Sequence, residues 1–148
     1  MDDAKVYQEV RFELTRLATA LVGPSHAEDV VSTVVARVLE RPGGLSGLAE
    51  PRPYLIKAII NESRSRYRRD KRWSGDPIDP DYLQTVDYRE ELVDVIGALP
   101  PQQRAATFLV YWEGHSPGSA ADLMGIRPAT LRRYLHLAHK KLRSMLDE

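Results

Sequence analysis

The segment from Ser116 to Leu146 reads SPGSAADLM, then GIR, then PATLRRYLHLAHKKLRSML. Ser116 suits a helix cap and Pro117 a first helical position, so the first string predicts a short helix ending at Met124. Gly125-Ile126-Arg127 makes a tight turn, and Pro128 starts a longer helix to about Leu146. A short helix, a turn opening on glycine and a longer basic helix form the helix-turn-helix pattern. In the long helix Leu131, Leu135, Ala138, Leu142 and Met145 recur three or four apart and are expected to face a core. Arg132, Arg133, His136, Lys140 and Arg143 fall largely on the other side. Such a face can enter a major groove, where arginines read guanine edges and lysines meet phosphates. Thr130 is suited to bond a phosphate beside the free N–H groups of the helix start.

Working outward, the apolar periodicity is helical nearly throughout. Val6, Val10, Leu14, Leu17 and Leu21 make one face of a helix over 4–22, which Gly23-Pro24 ends. Ser25 with Glu28 three positions on predicts a capping box for a second helix carrying Val30, Val31, Val34, Val35 and Val38. The loop from Pro42 to Glu50 holds three glycines and is expected to be mobile. Pro51 and Pro53 suit the first turn of a third helix, continued by Tyr54, Leu55, Ala58, Ile59 and Glu62. The turn-rich stretch from Trp73 to Pro80 is the best linker candidate. Beyond it, Tyr88 to Leu99 predicts a short helix, and Pro100-Pro101 opens another that Glu113-Gly114 closes. No strand pair shows, so the fold expected is all-α: two small helical domains joined by a flexible linker. Each half is small and is expected to depend on a partner for stability.

The 148 residues carry 21 Lys plus Arg and 21 Asp plus Glu, a formal net charge of zero. That zero hides segregation. From Arg52 to Arg72 eight basic residues face only Glu62 and Asp70; from Asp76 to Asp94 seven acids face only Arg89; from Arg127 to Arg143 six basic residues meet no acid. Two cationic stretches on a neutral chain point to two contacts with a polyanion.

No cysteine is present, which excludes a disulfide framework, a zinc ribbon, an iron–sulfur cluster and a thiol nucleophile. The N-terminus lacks a secretory pattern and no apolar run reaches the roughly 20 residues of a membrane helix. A cytoplasmic protein without membrane association is expected. His136 and His139 stand three apart but among cations, so no metal is expected there. Without a nucleophile elbow, a phosphate loop or a metal-spaced cluster, no catalytic residue, cofactor or enzymatic activity is expected either.

Several of these residues resemble a family. Leu99-Pro100-Pro101-Gln102-Gln103-Arg104, Glu113-Gly114-His115-Ser116 and Gly125 to His136 are similar to region four of extracytoplasmic-function (ECF) sigma factors. Ala27-Glu28-Asp29-Val30-Val31 and Pro53 to Asn61 resemble region two. The resemblance spans nearly the whole chain in the right order. It implies a region-two domain over 1–73, an acidic linker over 74–87 and a region-four helix-turn-helix domain over 88–148. It further implies that the chain binds core RNA polymerase and promoter DNA, with an anti-sigma factor as the typical regulator.

Under that resemblance the second helix docks on polymerase, through Asp29 and its neighbours Ser32 and Thr33. The third helix and the loop before it open the downstream promoter element, where Lys57, Asn61, Arg64, Tyr67, Arg68 and Arg69 supply charge, stacking and an amide for a base edge. The last helix reads the upstream element with Thr130, Arg132, Arg133, His136 and Lys140. The chain departs from the family pattern at Ser32 and Thr33, where Gln-Glu is usual, at Tyr54 for Trp, at Ile60 for a basic residue, and at Tyr134 and Leu137 for arginines. It ends soon after region four, so no appended sensor domain is expected. Two other readings stay open from the sequence. One is a stand-alone helix-turn-helix regulator; the other is a sigma-like protein that binds polymerase or an anti-sigma factor without initiating.

Overall fold

A computed structural model describes residues 2–69, 97 and 99–146, and every described element is helical. In chain order these are α1 (Asp3–Val22), α2 (Pro24–Leu39), α3 (Pro51–Arg69), α4 (Pro101–Thr107, running on as a π-helical turn over Phe108–Trp112), α5 (Pro117–Met124) and α6 (Pro128–Leu146). The expected linker, the short helix over 88–99 except Gly97 and Leu99, and the acidic block lie outside the described residues.

The three-to-four spacing of α1 becomes one buried stripe: Val6, Val10, Leu14, Leu17 and Leu21 are all covered. Asp2 caps this helix by accepting from the Lys5 N–H at 2.8 Å. The expected capping box on α2 does not form. α2 begins two residues earlier, at Pro24, with Gly23 as its cap and no side-chain cap bond, so Ser25 lies inside the first turn. Gly23 adopts φ 83°, open to glycine at little cost. From there its N–H bonds the Thr19 carbonyl while its own carbonyl accepts from Ala27. Pro24, its φ already helical, fits the first position. One residue thus ends α1 and starts α2.

The glycine-rich loop is anchored rather than free. Leu45 is fully buried, the Gly47 N–H bonds the Gly43 carbonyl at 2.9 Å, and the Ser46 N–H bonds Asp3 Oδ1 at 2.8 Å. This fastens the α2–α3 connection to the start of α1. The π-helical turn of α4 was likewise not foreseen: the Glu113 N–H reaches the Phe108 carbonyl, one residue past the α-helical partner.

α1, α2 and α3 pack on one another, as do α4, α5 and α6. The two groups also meet, α3 lying against α4 and α5 and α1 against α4. A continuous core results, with Leu14 and Leu17 of α1, Ile59 of α3, Leu109 of the π turn and Leu131 of α6 in one cluster. Each such side chain contributes about 1.5–3 kcal/mol of burial, and each half lends the other apolar cover.

Candidate nucleic-acid interface

The helix-turn-helix forms as its residues dictate. Ser116 Oγ accepts from the Ser119 N–H at 3.1 Å at the start of α5. Gly125 then takes the left-handed conformation, φ 69°, so that the Ile126 N–H returns to the Ala121 carbonyl. α6 turns Leu131 and Ala138 fully inward, with Leu135 and Leu142 half-buried. Arg132, Arg133, His136 and Lys140 are exposed on the other side, and Thr130 is half-buried at the helix start. His139 is drawn away from His136. Its Nε2 lies 2.6 Å from the Tyr111 hydroxyl and its ring stacks on that tyrosine, tying α6 to the π-helical turn. Among the described residues no cluster of His, Asp or Glu is arranged to hold a metal ion.

A second cationic site lies between α2 and α3. An open groove of about 420 Å³ is lined by Tyr54, Asn61, Arg37, Arg41 and Arg69 over an apolar floor that includes Val38. Tyr54 is 41% exposed. The Arg41 guanidinium sits 5.1 Å from its ring centroid and bonds its hydroxyl. A flat aromatic, an amide and three arginines around one cleft can stack a base, bond its edge and hold the adjoining phosphates.

Beneath the groove Glu62 is 4% exposed yet charged. It accepts from Arg37 at 2.8 Å and from Arg66 at 3.2 Å, with Arg69 at 3.5 Å. Burial pulls its carboxyl upward, but the bonds from Arg37 and Arg66 outweigh that and hold it below the usual range. One buried anion thus gathers three cations from two helices and leaves the cluster net positive. Arg66 extends the network to Asp29 Oδ2 at 2.5 Å and Thr33 Oγ1 at 3.0 Å.

The side chains expected to follow the downstream element are therefore divided. Asn61 and Arg69 line the groove, and Arg68 is exposed nearby. Lys57, Arg64 and Tyr67 turn toward the C-terminal half. A Cβ placed on Gly125 would lie 2.6 Å from Lys57 Cε. The Gln102 amide, oriented to satisfy its neighbours, accepts from Arg64 Nε at 3.3 Å and Nη1 at 3.2 Å. Of the residues expected to meet polymerase, Asp29 is 70% exposed while paired with Arg66, Ser32 is exposed, and Thr33 is half-buried under the same arginine. Arg37, Arg41, Glu62 and Arg104 are members of these sites that sequence reasoning passed over. The i, i+4 pair Arg37 and Arg41 at the end of α2 was the available signal.

Arg104 is the least expected. It is 5% exposed, and it donates from Nε to the Leu99 carbonyl at 2.5 Å, from Nη1 to the Leu21 carbonyl at 2.8 Å, and from Nη2 to the Gly97 carbonyl. Burial pushes its pKa down to about 10, a shift that the nearby Tyr67 opposes.

Comparison with known proteins places this geometry. The family model for sigma-70 region 4 matches residues 89–142. An ECF RNA polymerase sigma factor, SigL of Mycobacterium tuberculosis, is 30% identical over 155 aligned residues, covering 97% of this chain and 88% of its own. An RNA polymerase sigma-E factor of Streptomyces avermitilis is 29% identical, covering 90% of this chain and 79% of its own. Among solved structures, the sigma factor RpoE of Bartonella quintana, crystallised with the anti-sigma factor NepR, superposes with a TM-score of 0.66 at 20% identity over 95% of each chain. Among the described residues no helix is long and apolar enough to cross a membrane. With a sigma factor similar along almost its entire length, the chain belongs to the ECF RNA polymerase sigma factor family.

Proposed function

We propose that the chain binds core RNA polymerase and directs initiation at particular promoters by dividing the work between its halves. α6 enters the major groove of the upstream element, with Arg132 and Arg133 at base edges and Thr130, His136 and Lys140 along the backbone. α3 works on the downstream element. Strand opening costs unpairing and unstacking, and a receptor for the extruded base offsets that cost. The groove of Tyr54 and Asn61, ringed by Arg37, Arg41 and Arg69, is that receptor, and Arg68 follows the strand outward.

α2 presents Asp29, Ser32 and Thr33 to polymerase, Asp29 and Thr33 being fixed by Arg66. Ser32 and Thr33 are short where the family pattern has Gln-Glu, so shape and the Arg66-bound carboxylate carry this contact. An anti-sigma factor is the expected regulator, since the structural neighbour from Bartonella quintana was solved with one. Family membership also favours this reading over a stand-alone regulator; sigma factors are in general DNA-binding regulators rather than enzymes.

The observation that carries the proposal is the juxtaposition of Tyr54 and Asn61 along the α3 wall of one cationic groove. Permanganate reactivity of unpaired thymines tests it in holoenzyme bound to a promoter selected from genomic fragments. Tyr54→Ala and Asn61→Ala should each lose downstream reactivity and keep the upstream footprint. Unaltered reactivity in both variants would remove the groove from strand opening.

A further inference from the structure

The two walls of the groove are joined at one end by the α2–α3 loop. Arg41 stands just past the end of α2, Tyr54 in the first turn of α3, and the guanidinium of one bonds the hydroxyl of the other. Between them the chain folds into successive tight turns. The Gly44 N–H returns to the Arg41 carbonyl at 3.0 Å, the Gly47 N–H to Gly43 at 2.9 Å and the Leu48 N–H to Leu45 at 3.2 Å. These bonds are local, so they fix the shape of the loop and not its place on the protein.

Two contacts fix its place. One is Leu45, fully buried. The other is a half-buried carboxylate 43 positions from its partner. Asp3 Oδ1 accepts from the Ser46 N–H at 2.8 Å, and Gly44 backs so closely on the same group that a Cβ there would lie 2.6 Å from Oδ2. α1 does not need this side chain as its cap, because Asp2 already accepts from the Lys5 N–H.

We infer that Asp3 is a positioning residue for the downstream element: from the first turn of α1 it seats the α2–α3 loop, and through the loop it sets where Arg41 meets Tyr54 at the groove. The role rests on the proposal that the groove receives the extruded base. Asp3 does not itself line the groove. Glycine-rich backbone has much freedom to lose, and a receptor for one base binds best when that freedom is lost before the base arrives. Without Asp3 only Leu45 seats the loop, and the receptive geometry is populated for a smaller fraction of the time. Apparent affinity falls in proportion to that fraction. A single bond near the surface adds little to global stability, so its loss shows in recognition rather than in folding.

The test uses holoenzyme on a promoter selected from genomic fragments. Four templates carry each base in turn at the downstream position where the wild type shows its strongest preference. Permanganate reactivity of the other unpaired thymines reads opening on each. With the loop seated about a tenth of the time, Asp3→Ala should lower opening on the preferred base about tenfold. The other three bases should change little, so the preference flattens. Asp3→Asn loses the charge but keeps an oxygen to accept from Ser46, and should keep the preference. Gly44→Ala breaks the same contact from the loop side; combined with Asp3→Ala it should flatten the preference no further.

A uniform drop over all four bases would make Asp3 a structural residue only and overturn the positioning role. So would an Asp3→Asn variant as flat as Asp3→Ala, which would trace the effect to charge at the start of α1. Tyr54→Ala and Asn61→Ala, run alongside, keep two failures apart. If they lose opening while Asp3→Ala retains full preference, the role of Asp3 falls alone. If they too open normally, the groove falls with it.

Discussion

The Arg104 guanidinium donates to the Leu21 carbonyl at 2.8 Å, joining the helix that opens the C-terminal half to the last turn of α1. The end of a helix leaves carbonyls without intrahelical partners, and a buried arginine satisfies this one while bonding two more. Among the described residues its hydrogen-bond partners are all backbone carbonyls, with no carboxylate among them.

Replacing it tests that role. Arg104→Ala strands three buried carbonyls and should cost about 2–4 kcal/mol, read as a lower midpoint in urea unfolding of the full chain. Arg104→Lys keeps the charge but not the planar fork, and should fall between the variant and wild type. A midpoint unchanged in Arg104→Ala would mean that water replaces the guanidinium at no cost.

Glu62 makes stability acid-sensitive. Its folded pKa lies below the ordinary carboxylate value of 4.5, so its contribution is fully present above about pH 4.5. It is lost as pH falls through the depressed folded value, because the unfolded chain takes up the proton first. Glu62→Gln should remove that slope and cost about 2 kcal/mol at pH 7, since Arg37, Arg66 and Arg69 then repel one another across a neutral amide. Denaturation midpoints from pH 7 down to pH 3 measure it; parallel curves for variant and wild type would contradict the assignment.

Gly125 stands at a left-handed position and under Lys57. Gly125→Ala should destabilise by about 1–2 kcal/mol, nearly all from the backbone conformation, because the lysine end swings aside easily. A double-mutant cycle with Lys57→Ala should therefore show little coupling. Large coupling would mean that Lys57 is fixed more firmly than a lone contact with a helix end implies.

Arg132→Ala should weaken binding to upstream duplex by about 1–3 kcal/mol and relax preference at one base position, measured by binding to a library of single-base variants. Uniform weakening across every sequence would reassign Arg132 to a phosphate.

Most of the helices were legible because their stripes repeat locally: the valines of α2 and the leucines of α1 and α6 needed no knowledge of their partners. The helix-turn-helix was legible for the same reason, each of Ser116, Pro117, Gly125 and Pro128 carrying its own local conformational preference. What escaped depends on distant pairs. Glu62 meets Arg37 from 25 positions away, and Arg104 meets Leu21 from 83, separations that no periodicity encodes. The division of α3 into a groove face and a docked face was hidden for the same reason, since Lys57 and Asn61 share one basic helix and differ only in what packs beside it. The cap of α2 failed differently. Ser25 and Glu28 fit the capping pattern, but a proline with a positive-φ glycine before it starts the helix two residues sooner.

Run-off transcription with purified core polymerase on pooled genomic fragments tests the central claim most directly. The account predicts that adding this chain converts core into an enzyme that starts at a small, reproducible set of sites. Binding to core with no selected transcript, or binding to palindromic duplex with no engagement of polymerase, would contradict it.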